Sequence, residues 1–291
     1  MKLEKIVTST NEKFKLRFLA MERSLRATGC DLPIWVIPYD QTRFDLPPNA
    51  IWWDLPEMRR FLTEHRATPL TPRYYCLTIS NYQFVDADVI FLRNPAAVLA
   101  DHDGLIASCG HWNNPAHTYT ADSLKILKKI TTCWPARVFN AGQFACDRSL
   151  YSVAELKQKC LDPLHANTCF NFDQCGTVLL ANLSQVRISN LTLPPVNMES
   201  TWAGSYEDDN FEEYWTDESR KPYLLHWAGI YWPVPVDRLF ANFLTANERQ
   251  QWAEEVDARI RRGRSLTNRL RQVRTASRNF LREVGEIHTP W

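Results

Sequence analysis

The sequence predicts an α/β fold in which a mostly parallel sheet is flanked by helices and followed by a C-terminal helical extension. Three observations lead there. Short β-branched runs alternate with segments of helical period through residues 1–240. The run Gln83-Phe84-Val85 ends in two aspartates set among apolar residues, and ligand sites of open α/β sheets lie at such strand ends. Beyond Asp237 the pattern turns helical and stays so, which divides the chain into a domain over 1–240 and an extension over 241–291.

Taken in order, Lys5-Ile6-Val7-Thr8-Ser9 is a first strand, and Asn11 opens an amphipathic helix with Phe14, Phe18, Met21 and Leu25 at helical spacing. Pro33–Pro38 is a second strand and Ala50–Trp53 a third. Strand, helix, strand in that rhythm implies parallel pairing beneath covering helices. A proline-spaced segment from Glu64 to Pro72 leads to a helix near Tyr74–Asn81, then to the strand that ends in acid. Leu105–Cys109 and Val138-Phe139-Asn140 are further strands. The polar, aromatic stretch His111–Thr120 between them reads as a loop beside a site. Val153–Cys160 and Asp173–Leu183 read as helices, Val186-Arg187-Ile188 and Tyr223–His226 as strands.

Composition narrows the function. A formal net charge of +1 excludes a globally basic nucleic-acid binder, so nucleic acid is not an expected partner. No apolar run reaches the roughly eighteen residues a membrane span needs, and Met1–Ile6 lacks the apolar core of a signal peptide. The eight cysteines form no CxxC pair and no zinc-ligand rhythm, so they read as reduced thiols of a cytoplasmic protein. Eleven tryptophans offer flat apolar faces suited to stacking on sugars or bases as well as to core filling.

Asp86 and Asp88 stand two apart, so extended chain points both carboxylates to one face and Ala87 away. Phe84 and Val85 precede them, Val89-Ile90-Phe91-Leu92 follow. Two ionised carboxylates in apolar surroundings repel and are poorly solvated unless a cation lies between them. Hard oxygen ligands at an open site suit magnesium or manganese completed by substrate phosphates. The bland alternative is a surface turn, where DxD occurs by chance.

At this point the sequence resembles the GT-A glycosyltransferases, most closely the family 8-like retaining group, over about residues 5–240. Val85-Asp86-Ala87-Asp88-Val89-Ile90 followed by Asn94-Pro95 resembles the group's metal-binding segment. Phe139-Asn140-Ala141-Gly142-Gln143-Phe144 is similar to its F-N-x-G turn flanking the donor sugar. Asp173-Gln174 resembles a D-Q pair beside the reacting carbon. His226-Trp227-Ala228-Gly229 is similar to the late H-x-x-G segment whose histidine completes the metal shell. Val7-Thr8-Ser9-Thr10-Asn11-Glu12-Lys13-Phe14 resembles the nucleotide-binding first turn.

The resemblance implies transfer of a sugar from a nucleotide diphosphate, a UDP-sugar first, to a carbohydrate or glycoconjugate acceptor, with the anomeric configuration retained. It implies manganese or magnesium held by Asp86, Asp88 and His226. Asp173 and Gln174 would be the catalytic pair, although both also suit the first turn of a helix. Thr8, Ser9, Thr10, Asn11, Phe14, Arg73, Asp86, Ala87, Asn140, Ala141, Gly142 and Gly229 would line the donor site. Trp112, Trp202 and Trp227 are acceptor candidates. One position departs from the pattern: the group's H-x-x-G-x-x-K-P-W lysine is Trp232 here, which cannot neutralise a phosphate. Arg73 and Arg137 are the candidate replacements.

From Ala258 to Arg282 there are nine arginines and no acid, with Leu266, Leu270, Val273, Phe280 and Leu281 at helical spacing. Such a helix predicts peripheral membrane contact over Arg259–Arg282; the alternative is a terminal helix packed on the domain with its arginines in water. Two other functions share the acid motif or the fold. A DxD phosphatase would want a hydroxyl or small residue pattern after its second aspartate, where Val89-Ile90-Phe91 stands. A non-catalytic sugar-binding protein would need no phosphate lysine.

Overall fold

The computed structural model describes residues 1–264. In chain order the elements are β1 (Lys5–Thr10), α1 (Lys15–Ala27), β2 (Ile34–Pro38), β3 (Ala50–Trp52), α2 (Pro56–Glu64), β4 (Tyr82–Val85), β5 (Val89–Phe91), α3 (Pro95–Leu99) and β6 (Leu105–Ala107). They continue with α4 (Ala121–Ile130), β7 (Gln143–Cys146), α5 (Val153–Leu161), α6 (Ala166–Asn171), α7 (Asp173–Leu183), β8 (Ile188–Asn190), β9 (Leu224–His226), α8 (Asp237–Ala241) and α9 (Ala246–Arg264). A seven-stranded sheet runs β3-β2-β1-β4-β7-β6-β8, and β5 and β9 form a separate two-stranded sheet. The large sheet is parallel except at β7, which runs against both β4 and β6.

Strand alternation divides the core. Val7 and Phe84 join the cluster with Tyr74, Tyr75 and Phe144, whereas Ile6 and Val85 join Phe18, Met21 and Leu25 of α1. A third cluster ties α1 (Leu16, Ala20) and β5 (Ile90) to Trp227, Phe240 and Trp252. Trp252 of α9 stacks on Phe240 of α8 at 4.2 Å between centroids. The described part of the C-terminal extension is therefore packed on the α/β domain. Arg259 is buried there in an ion pair with Asp237 at 2.8 Å. The rest of the arginine-rich segment, 265–291, lies outside the described residues. Among the described residues no helix is long and apolar enough to cross a membrane. All eight cysteines are free thiols.

Several elements differ from the sequence reading. Asn11 starts a 3-10 turn, Glu12–Phe14, and the α-helix begins only at Lys15. Phe14 accordingly leaves the buried face and sets its ring edge-on to Tyr39 at 5.8 Å. The helix expected near Tyr74–Asn81 is a 3-10 stretch over Thr71–Thr78 with Pro72 at its start, and Asn81 turns the chain at φ 56°. Val138-Phe139-Asn140 is not a strand; the ladder starts at Gln143. Side chains take up the backbone groups there: Gln174 accepts from the Ala141 N–H and donates to the Phe139 carbonyl, and Asn140 Oδ1 accepts from the Gly142 N–H. The strand expected at Val186–Ile188 begins at Ile188, after a left-handed Gln185 at φ 59°. The helices α2, α3, α4 and α6 are additions to the sequence reading.

The contact of α9 with α1 is testable. Arg23 donates to both carboxylate oxygens of Glu248, at 2.5 and 3.0 Å. That hydrogen bond holds the Glu248 carboxyl down at about 2, against an opposing effect of burial. A depressed acid contributes stability above its unfolded pKa and loses it as pH falls through the folded one. Glu248→Gln should lower Tm at pH 7 by about 2–4 °C for a pair worth about 1 kcal/mol. The gap to wild type should close as pH falls from 4.5 towards 2; calorimetry across that range is the check.

Candidate active site and metal centre

The acid motif does not continue as one strand. β4 belongs to the large sheet and β5 to the small one, and Asp86-Ala87-Asp88 is the turn between them. Backbone bonds hold the turn on both sides: the Asp86 N–H donates to the Gly142 carbonyl at 2.8 Å, and the Trp227 N–H donates to the Asp88 carbonyl at 3.0 Å. Pairing of Val89 with His226 across β5–β9 sets the histidine beside the second aspartate. The His226 N–H donates to the Thr201 carbonyl at 2.8 Å. Thr201 in turn accepts from Gln143, whose amide oxygen accepts from Ser108, all buried.

The outcome is a cluster in which ligand atoms of Asp86, Asp88 and His226 lie within 4.8 Å of one another. His226 Nε2 is 3.3 Å from Asp88 Oδ1 and 3.7 Å from Asp86 Oδ2, with the ring only 2% exposed. Among the described residues its Nδ1 has no partner, so Nε2 contacts and packing orient the ring. Burial pushes the Asp86 carboxyl up, opposed by Arg73 and His226. For Asp88 burial is outweighed by the His226 hydrogen bond and charge, and the carboxyl stays at about 2.

These residues fit a divalent cation on two counts. The donor set is two hard oxygens and one imidazole nitrogen, which suits manganese or magnesium. The space beside them is kept clear, since a Cβ at Gly142 would stand 2.3 Å from Asp86 Oδ2 and 2.5 Å from His226 Cε1.

Arg73 comes to the same place from the 3-10 stretch. Its Nη2 lies 3.4 Å from Asp86 Oδ1 and 3.5 Å from Asp173 Oδ2, and the residue is 4% exposed. One buried guanidinium thus bridges the Asp86–Asp88–His226 cluster and the start of α7. Asp173 heads that helix, and Gln174 clamps the 139–141 turn through the two bonds given above. Asn140 and Gly142 complete that turn, and the structure brings Asn140, Ala141, Gly142, Asp173 and Gln174 together around Asp86. Arg137 is not brought there; it donates to the Val186 carbonyl at 2.9 Å.

At the end of β1, Thr8, Ser9, Thr10 and Asn11 are buried, and Asn11 Nδ2 donates to Asp40 at 2.7 Å. Thr8 Oγ1 and Asn11 Oδ1 are buried polar atoms with no partner among the described residues. Tyr39, at the neighbouring end of β2, was not singled out by the sequence. Burial pushes its phenol far up, and the charge of Asp86 adds to that. Its signal was its position one residue past a strand that pairs in parallel with β1.

Two cavities flank the cluster. One of about 730 Å³ reaches His226 and is lined by Trp112, Trp202, His111, Asn140 and Arg220 among others. Burial first, then the charges of His117 and His226, pushes the His111 imidazole down to about 4, so it is neutral near pH 7. The other, about 350 Å³, reaches Asp88 and Gly229 and is walled by Phe14, Trp227 and α9. Gly229 takes φ 66°, the left-handed region that favours glycine. Trp227 is buried, its Nε1–H donating to Asp237 at 2.7 Å.

No protein-family model matches the sequence, and no curated protein matches it. Solved structures do match. The apo structure of the bifunctional glycosyltransferase WbbM superposes with a TM-score of 0.55 at 13% identity, over 89% of this chain and 52% of that one. The galactosyltransferase LgtC, solved with donor and acceptor sugar analogues, superposes with a TM-score of 0.52 at 14% identity, over 84% of this chain and 99% of that one. The chain has the GT-A fold. That is the fold of the glycosyltransferase group that the sequence motifs resemble. This chain spans about half the length of WbbM and nearly all of LgtC. In this GT-A domain the acid turn, the small sheet and the glycine at 142 form one unit.

Gly142→Ala tests that unit. The added methyl meets a carboxylate and a ring that are both fixed, so Mn²⁺ affinity measured by titration calorimetry should fall at least about tenfold, or 1.4 kcal/mol. Unchanged affinity would show that the space beside Asp86 is not needed.

Proposed function

We propose that the protein transfers a glycosyl group from a nucleoside diphosphate sugar, a UDP-sugar first, to a hydroxyl of a carbohydrate or glycoconjugate acceptor. The observation that carries this is the convergence of Asp86, Asp88 and His226 at the carboxyl end of β4 in a GT-A fold. LgtC supports it by likeness: that protein was solved with donor and acceptor sugar analogues, and an active-site glutamine-to-glutamate variant of it is also known.

The reaction forms a bond from the acceptor oxygen to the anomeric carbon and breaks the bond to the diphosphate oxygen. The electron pair leaves on the diphosphate, and the hydroxyl proton follows it. Asp86, Asp88 and His226 would hold a manganese or magnesium ion. Such an ion supplies Lewis-acid stabilisation of the departing phosphate oxygen. Thr8 Oγ1 and Asn11 Oδ1, buried and unpartnered, suit hydrogen bonds to a nucleoside. Asp173 and Gln174, with Asn140, Ala141 and Gly142, frame the sugar. Gln174, through its two backbone bonds, fixes the turn that faces the reacting carbon. The larger cavity, with Trp112 and Trp202 on its wall, suits an acceptor sugar stacked on an indole. Retention of configuration rests on the resemblance of the motifs.

Asp88→Asn keeps the size of the side chain and removes a charged ligand. It should reduce sugar transfer and donor hydrolysis by at least about a hundredfold, or 2.7 kcal/mol, and abolish the Mn²⁺-dependent Tm rise with nucleotide sugars. Full activity in that variant would refute the metal role. A screen in which no nucleotide sugar raises Tm with Mn²⁺ would sink the reading as a whole.

A further inference from the structure

The position where related motifs carry a lysine is Trp232, whose indole packs edge-on against Trp202 at 6.1 Å. A donor diphosphate would still need cations. We infer that they come from α1 and α9: Arg17 and Arg262, with Lys13 beside them, form a diphosphate-binding wall that replaces the lysine. This rests on the function proposed above and concerns the residues that grip its donor.

The cavity of about 350 Å³ that reaches Asp88 and Gly229 is lined by Lys13, Arg17, Arg259 and Arg262 against the carboxylates of Asp88 and Glu255. Arg259 is committed to structure, since Nη2 binds Asp237 at 2.8 Å and the Trp232 carbonyl at 3.3 Å. That pair fastens α9 to the loop following His226. Gly263 brings the helix closer still, because a Cβ there would stand 2.6 Å from the Tyr231 carbonyl oxygen. Arg262, the next residue back, is thereby carried to the cavity. Arg17 is aimed from the opposite wall: Nε binds Glu255 at 3.0 Å and Nη1 lies 3.6 Å from Asp88 Oδ2.

The placement of Arg17 separates this idea from simple ion pairing. A guanidinium beside a metal-binding carboxylate repels a divalent cation at that carboxylate. The two positive charges are compatible once a polyanion lies between them, and a diphosphate is such a ligand. Arg17 should therefore weaken metal binding in the free protein and strengthen it once the nucleotide is bound.

Titration calorimetry with uridine, guanosine, adenosine and thymidine diphosphates, each with Mn²⁺, tests this on the full chain. Arg17→Ala and Arg262→Ala should each weaken the diphosphate that wild type binds by about tenfold or more. Arg187→Ala, whose arginine pairs with Asp103 on the surface, should leave it unchanged. With Mn²⁺ alone, Arg17→Ala should bind as tightly as wild type or more tightly, which a merely misfolded site would not do. Arg17→Lys should recover part of the diphosphate affinity. If wild type binds a diphosphate and both alanine variants bind it within about twofold, the wall is refuted while the function stands. If wild type binds none of the four, the proposed function fails as well.

Discussion

Two carboxylates and an imidazole are held together where little water reaches them, and much of the surrounding structure meets that requirement. Bringing Asp86 and Asp88 together is unfavourable by itself, because like charges repel and burial strips their solvation. The chain supplies Arg73 to Asp86 and Arg17 to Asp88, both within 3.6 Å. His226 answers both. The cluster still carries more acid than base, because Arg73 also serves Asp173 and Arg17 also serves Glu255.

The backbone is arranged to the same end. A continuous strand through the motif would have left His226 without a seat. Instead the chain leaves the large sheet at Val85, turns through the aspartates, and enters a two-stranded sheet whose partner strand ends in His226. The turn is fastened at Gly142 and Trp227. Beneath it a chain of buried side chains, Gln83 to Tyr223, and Ser108 to Gln143 to Thr201, joins the two sheets. Buried polar groups that find partners in this way resist rearrangement, since breaking any one link leaves a costly unpaired atom. The helix α9 then closes the Asp88 side of the cluster through Arg17–Glu255 and Arg259–Asp237.

Much of this was legible in the sequence where local pattern and tertiary role agree. The β-branched run at Lys5–Ser9 marked β1, and the spacing of Phe18, Met21 and Leu25 marked the buried face of α1. Asp86, Asp88 and His226 could be grouped only by their order along a known motif, because the 137 residues between Asp88 and His226 carry no distance information. Side chains competing for backbone groups hid the rest. Phe139-Asn140 reads as a strand until Gln174 is known to occupy its carbonyl and neighbouring N–H. No sequence motif marks Arg17, and only packing of α9 against α1 shows that it faces Asp88. The segment from Ala258 read as uniformly basic, yet Arg259 is a buried structural ion pair while Arg262 reaches a cavity.

The proposed function requires that one histidine and two aspartates form a single divalent site completed by a donor diphosphate. Pulsed electron paramagnetic resonance of bound Mn²⁺ with a nucleoside diphosphate reads that set directly. Hyperfine coupling to one imidazole nitrogen, lost in His226→Ala, is expected together with coupling to phosphorus. A manganese signal with phosphorus coupling but no nitrogen, or one unchanged by His226→Ala, would contradict it.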